Sequence, residues 1–200
     1  MNIILATTND HKREEFSRIL QGHTILLPSD IGLVFDFEEN AETFTENALG
    51  KAMDLARRAP KGYAVLADDS GLCVDALQGA PGVRTARYGM EVFGRLLEAQ
   101  ERNAYLLENL KSYTTDQERS AHFVCALALV IQPYKVYTIC ESVDGHITKE
   151  PYGKGGFGYD PVFHVDEAGE TMAALGNEKK DLYSHRGRAT RLLKTLLGDE

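Results

Sequence analysis

Ile3-Ile4-Leu5-Ala6-Thr7-Thr8-Asn9-Asp10 is the stretch whose reading decides the fold. A short apolar run rich in strand formers meets a polar turn. Phe16, Ile19 and Leu20 then fall on one face of a helix predicted to reach about Leu20. A buried strand that turns into a helix start is how α/β proteins present a phosphate site, because unpaired backbone N–H groups and the helix dipole attract an anion there. Thr7, Asn9 and Lys12 are the candidates in this turn. The plainer alternative is N-capping by Thr8 or Asn9 next to a surface lysine.

Working outward, residues 24 to 35 are apolar enough for another strand or two, and Asp36 to Glu46 is an acidic loop. Ala48, Ala52, Leu55 and Ala56 recur at helical spacing, which predicts a helix over about 43–59 that Pro60 and Gly62 end. Ala64 to Ala67 reads as a strand ending at Asp68-Asp69-Ser70-Gly71, and residues 91 to 111 read as helical. Phe123 to Ile131 is continuously apolar, as a strand buried on both faces would be. Pro133 breaks it, and Lys135 to Cys140 resumes with alternation, which predicts a hairpin. Ser142 to Thr148 offers a further strand. Gly153 to Gly158 is a glycine-rich loop, and a helix over about 187–197 closes the chain with Ala189, Leu192, Leu193, Leu196 and Leu197 as its apolar stripe. The expected fold class is α/β, a mixed central sheet flanked by helices.

The 200 residues suit one domain over 1–200, or two lobes sharing a sheet. A net charge of −8 leaves no basic surface for nucleic acid, so a phosphate-bearing ligand must be met by a few concentrated cations, a metal or backbone N–H groups. Cys73, Cys125 and Cys140 lack the spacing of a disulfide framework or zinc site. With no signal-peptide pattern and no apolar run of about 18 residues, a cytoplasmic protein with no membrane contact is expected.

Four groups carry the chemistry. Asp68 and Asp69 are hard oxygen donors of the kind magnesium prefers. Neighbouring residues of a strand point to opposite sides, so one of the two faces a ligand. A solvated turn with Ser70 as a cap is the alternative. The turn from Thr7 to Lys12 is the second group. In the third, Gly153 to Asp160, glycines allow close backbone approach and Phe157 or Tyr159 could stack on a nucleobase. The spacing of Lys154 does not make a Walker pattern. In the fourth, Ser184-His185-Arg186-Gly187 before the final helix, His185 and Arg186 can donate to a base carbonyl. Ser70 and His185 also suggest a nucleophile and base, but no G-x-S-x-G elbow supports that pair.

In this order the groups resemble the inosine/xanthosine triphosphate pyrophosphatase family, which acts on noncanonical purine nucleoside triphosphates. The likeness runs through Leu5-Ala6-Thr7-Thr8-Asn9 with Lys12, Phe44-Thr45-Glu46-Asn47-Ala48, Ala67-Asp68-Asp69-Ser70-Gly71-Leu72 and Gly79-Ala80-Pro81-Gly82 with Ala86-Arg87-Tyr88. It continues through Gly155-Gly156-Phe157-Gly158-Tyr159-Asp160-Pro161 and closes on Ser184-His185-Arg186-Gly187. Thr8 stands where many members carry glycine, and Gly89 to Phe93 is less typical.

The resemblance implies an elongated mixed sheet with two lobes around an active-site cleft, in a homodimer. It implies hydrolysis of ITP, dITP and XTP to the monophosphate and pyrophosphate, with Mg2+ as cofactor. By the family pattern, Thr7, Thr8, Asn9, Asp10, His11 and Lys12 lie around the triphosphate. Asp69 is the general base and a metal ligand, Glu39 a second metal carboxylate, and Ser70 a substrate contact. Phe157, Gly158, Tyr159 and Asp160 match the base pocket with Phe157 as the stacking ring, Lys180 a ligand-binding lysine, and His185 and Arg186 the readers of the purine O6. A general nucleotide pyrophosphatase and a non-enzymatic nucleotide-binding module are the rival readings.

Overall fold

Strand β1 (Asn2–Leu5) is buried on both sides, and its alternation shows how. Ile3 and Leu5 enter one core, while Ile4 and the following Ala6 enter another, as successive strand side chains must. The chain is described by a computed structural model covering residues 1–131 and 135–198. After β1 come α1 (Asp10–Ile19), β2 (Thr24–Leu26), α2 (Phe44–Ala56), β3 (Tyr63–Val74), α3 (Met90–Phe93) and α4 (Ala99–Asn109). Then follow β4 (Ser120–Ile131), β5 (Lys135–Ile147), β6 (Phe163–Val165), β7 (Glu170–Thr171), α5 (Asn177–Tyr183) and α6 (His185–Leu197). The strands form one sheet in the order β2-β1-β3-β4-β5-β6-β7. β1 pairs in parallel with β2 and β3, whereas β6 is antiparallel to β5 and β7, so the sheet is mixed as expected.

The chain divides into two compact units. The first comprises Met1–Asp69, Cys125–Glu141 and Arg186–Glu200. Its sheet is covered on both faces. Phe16 and Leu20 of the α1 region join Ala189 and Leu193 of α6 on one face, and Ala48, Ala52 and Leu55 of α2 lie on the other. Each fully buried large apolar side chain here, Phe16 for example, contributes about 1.5–3 kcal/mol. The second unit comprises Ser70–Val124 and Ser142–His185. Its core is a single cluster built on Leu72, Phe123, Val143, Phe163 and Val165, with Leu106 and Leu110 of the α4 region. β4 records the difference. From Ser120 to Val124 burial alternates, and from Cys125 to Val130 it is continuous.

Several elements depart from expectation. β3 does not stop at Asp68 but continues to Val74, so Asp68-Asp69-Ser70-Gly71 lies inside a strand, not in a loop after one. The helix expected over 91–111 is broken at Gly94, whose φ of 68° lies in the left-handed region that glycine tolerates. The helix resumes at Ala99. Residues 24–35 hold one strand, β2, within the one or two expected, because Pro28 opens a 3-10 turn that Gly32 closes. Lys135 to Ile147 is one strand where two were expected. Pro133 and the turn it was expected to make lie outside the described residues, although β4 and β5 are sheet neighbours. The stripe on α6 is also rotated. Ala189, Thr190 and Leu193 are buried, but Leu192 and Leu196 are 46% and 52% exposed. No described helix is long and apolar enough to cross a membrane.

Candidate functional site

The two aspartates of β3 point to opposite faces of the first unit, as neighbouring strand residues must. On the α1 and α6 face, Asp68 accepts from Lys12 Nζ at 3.2 Å and from Arg186 Nε at 2.5 Å. A second nitrogen of Arg186 donates to Glu15 Oε2 at 2.6 Å. Lys12 and Arg186 balance Asp68 and Glu15, so this buried group is neutral. Burial alone would lower the Arg186 pKa, but Asp68 and Glu15 raise it well above the usual arginine value.

On the α2 face, Lys51 Nζ lies 2.5 Å from Glu39 Oε1, 2.7 Å from the Asp68 carbonyl and 3.7 Å from Asp69 Oδ1. Lys51 thus gathers two carboxylates, and these three side chains sum to one negative charge. Asp69 Oδ2 is buried and has no hydrogen-bond partner. Burial pushes the Asp69 carboxyl up to about 6. Lys51 opposes that rise, Glu39 adds to it, and Asn47 and Lys12 pull it down. An excess negative charge and an unpaired carboxylate oxygen among oxygen donors fit a hard divalent cation.

The turn before α1 forms as expected of an N-cap. Asn9 Oδ1 accepts from the His11 N–H at 2.9 Å, and Thr7 Oγ1 accepts from the Asn9 N–H at 3.2 Å. Thr8, Asp10 and His11 are exposed, and Asp10 pairs outward with Arg13 at 2.7 Å.

In the second unit, Asp160 Oδ2 accepts from the Phe157 N–H and from Lys180 Nζ, both at 2.8 Å. The Lys180 ammonium also stands 5.1 Å from the centre of the Phe157 ring. Gly156 makes this possible, since a Cβ there would come within 2.0 Å of Asp160 Oδ2. Phe157 is partly exposed, as a stacking ring requires. Tyr159 is not: it belongs to the core, and its hydroxyl donates to the Thr85 carbonyl at 3.1 Å. Of the two aromatic candidates for stacking, the structure therefore leaves Phe157. The Gly158 carbonyl accepts from Asn103. His185 is buried and stacks flat on Phe123, with ring centres 4.3 Å apart and planes 3° from parallel. His185 and Arg186 form the first turn of α6 and do not precede it. Ser70 is partly exposed within β3.

The sequence profile of the Ham1 family matches residues 3–196. The chain belongs to the Ham1 family. It is 46% identical over 191 residues to the dITP/XTP pyrophosphatase of Treponema denticola, covering 94% of each chain. It is 47% identical over 195 residues to a dITP/XTP pyrophosphatase of Thermus thermophilus, covering 96% of this chain and 90% of that one. The solved structure of a HAM1 protein from Coxiella burnetii superposes with a TM-score of 0.84 at 37% identity, over 99% of this chain and 98% of that one.

Sequence reading of this Ham1-family chain missed four functional candidates. Lys51 and Asn47 lie on the buried side of α2. The available signal was Asn47-Lys51-Leu55 at i, i+4 and i+8, polar residues in register with an inward stripe. Glu15 sits beside Phe16 on the buried face of α1, where the distant Arg186 pairs with it. Phe123 read as plain core, and its contact with His185 spans two elements far apart in sequence.

Proposed function

We propose that the chain hydrolyses noncanonical purine nucleoside triphosphates, ITP, dITP and XTP, to the monophosphate and pyrophosphate. The observation that carries this reading is the Asp69 group: a buried, partly neutralised carboxylate with an unpaired oxygen, gathered with Glu39 by Lys51. The names of the relatives agree with it.

Asp69 acts as the general base. A water oxygen bonds to the α-phosphorus, the bond from that phosphorus to the bridging oxygen breaks, and pyrophosphate leaves. The water proton passes to the Asp69 carboxylate. An ordinary aspartate has a pKa of about 3.9 and is a weak base, and a value near 6 brings it closer to working pH. Asp69 and Glu39 would hold Mg2+, which when bound neutralises charge on the phosphate oxygens. The α1 N–H groups add positive potential for the triphosphate, and Lys12, partly exposed beside Asp68, is a donor to its oxygens.

The second unit holds the candidates for recognising a purine base. Phe157 stacks on the purine, and Asp160 and Lys180 fix that ring. His185, held flat by Phe123, offers a ring N–H to O6, which adenine replaces with an amino donor. Arg186 is given a different part from the one the family pattern implies. With two nitrogens on Asp68 and Glu15, it anchors the start of α6.

Turnover in heavy-oxygen water tests the point of attack. The label is expected in the monophosphate, and label in the pyrophosphate would refute attack at the α-phosphorus. The pH dependence tests the base. Protonated Asp69 cannot accept the water proton, so kcat/KM should rise with pH and level off, and because bound Mg2+ favours the carboxylate the limb should lie below the value of about 6 that holds for the metal-free chain. Lys51→Met removes the main influence lowering the pKa and should move that limb to higher pH. A profile unchanged by Lys51→Met would contradict the assignment.

A further inference from the structure

Val143, Ile147, Phe163 and Val165 turn one face of the second unit's strands into its core, so the alternate residues of β5 and β6 occupy the other face. There His146 and His164 are direct cross-strand partners. Their rings stack with centres 4.5 Å apart and planes 26° from parallel. Asp166 Oδ1 lies 2.8 Å from His146 Nδ1 and 3.5 Å from His164 Nδ1. His164 Nδ1 is buried and makes no hydrogen bond. We propose that His146, His164 and Asp166 form a site for a divalent transition-metal cation of the zinc type, built from residues other than those assigned to magnesium.

The donor set argues for that class. Imidazole nitrogen suits zinc, nickel, cobalt and copper, whereas magnesium prefers carboxylate and water oxygens. The spacing agrees. Ligands about 2.1 Å from a tetrahedral ion stand roughly 3.4 Å from one another, and the two measured nitrogen–oxygen separations fall on either side of that figure. All three ligand atoms lie within 4.8 Å of one another. A metal also explains the unpaired His164 Nδ1, a buried imidazole nitrogen that Asp166 approaches without bonding.

The surroundings complete the arrangement. With His146 Nδ1 turned to the ion, its Nε2 faces Asp116 Oδ2 at 3.9 Å. At that distance Asp116 makes no hydrogen bond, but its negative charge beside the ligating imidazole favours a bound cation. Three protein ligands leave a coordination position for water. Since β5 and β6 each supply a histidine, the ion would tie these two strands of the second unit together.

The test uses the full chain, stripped of metal by a chelator and titrated with Co2+. One ion per chain is expected, with the visible absorption of low-coordinate cobalt, and Zn2+ should displace it. Zn2+ should also raise the melting temperature of the wild-type chain. Asp166→Asn, at an exposed position that the fold tolerates, and His164→Asn should both abolish the spectrum and the rise. Asp116→Asn, which removes an exposed charge 3.9 Å from His146 Nε2, should weaken binding by less than about 10-fold. His122→Asn, on a histidine paired with Asp144 and Asp75, should leave it unchanged, as should Asp69→Asn. No stoichiometric uptake would overturn the proposal and leave a hydrogen-bonded His–Asp group only. Uptake that survives Asp166→Asn, or that Asp69→Asn alone removes, would overturn it equally.

Discussion

Asp69→Asn should lower turnover by about 10²–10⁴-fold while making the metal-free protein more stable at neutral pH. The two effects share one cause. Folding raises the Asp69 pKa from 3.8 to about 6, so the native state holds this proton more tightly than the unfolded chain does. Stability is therefore greatest below the unfolded value and falls as pH rises from about 4 through about 6. Above that range Lys51 compensates the buried charge only in part, since it also pairs with Glu39. The step from 3.8 to about 6 sets an upper bound of about 3 kcal/mol. Asparagine removes the charge, and the loss of a partner for Lys51 takes part of the gain back. Denaturant unfolding at neutral pH without metal, compared with turnover under saturating magnesium, checks both halves. A variant that is less stable than the parent and still active would show that the Asp69 carboxylate is an ordinary structural group.

Arg186→Ala should cost about 3–5 kcal/mol, because it removes the guanidinium from two buried carboxylates, Glu15 and Asp68, and leaves Asp68 with Lys12. Their side chains are 1% and 7% exposed, so water can replace little of what the guanidinium supplies. Lysine should recover only part of the loss, since one ammonium cannot reproduce two separately directed N–H bonds. Glu15→Gln should cost less than Arg186→Ala, because Asp68 still pairs with both Arg186 and Lys12. Urea unfolding of the three variants gives the order. A loss below about 1 kcal/mol in Arg186→Ala would mean that the group is solvated and that Arg186 does not anchor α6.

The same residues show what the sequence disclosed and what it concealed. The opening strand, turn and helix were legible, because Ile3 to Ala6, Asn9 and Phe16 follow local rules of burial and capping. So was the opposite orientation of Asp68 and Asp69, which follows from strand geometry alone. The continuation of β3 through Asp68-Asp69-Ser70-Gly71 was not. Two carboxylates and a Ser-Gly pair read locally as a turn, and the strand survives because Lys12, Arg186 and Lys51 arrive from three helices to pair them. The phase of α6 went astray for the same reason. Arg186 and Thr190 look outward by polarity yet face inward, which swings Leu192 and Leu196 to the surface. Tyr159 looked available for stacking, but it packs into the second unit's core with its hydroxyl on the distant Thr85 carbonyl. In each case the deciding partner is a residue distant in sequence.

The central claim is a reaction, and pyrophosphate release measures it directly. The full chain should release pyrophosphate from ITP, dITP and XTP when magnesium is present. It should do so far faster than from ATP, since a site built to donate to O6 loses several kcal/mol in order of magnitude when an amino group replaces the acceptor. Equal release from ATP and ITP, or none from ITP with magnesium, would contradict the account.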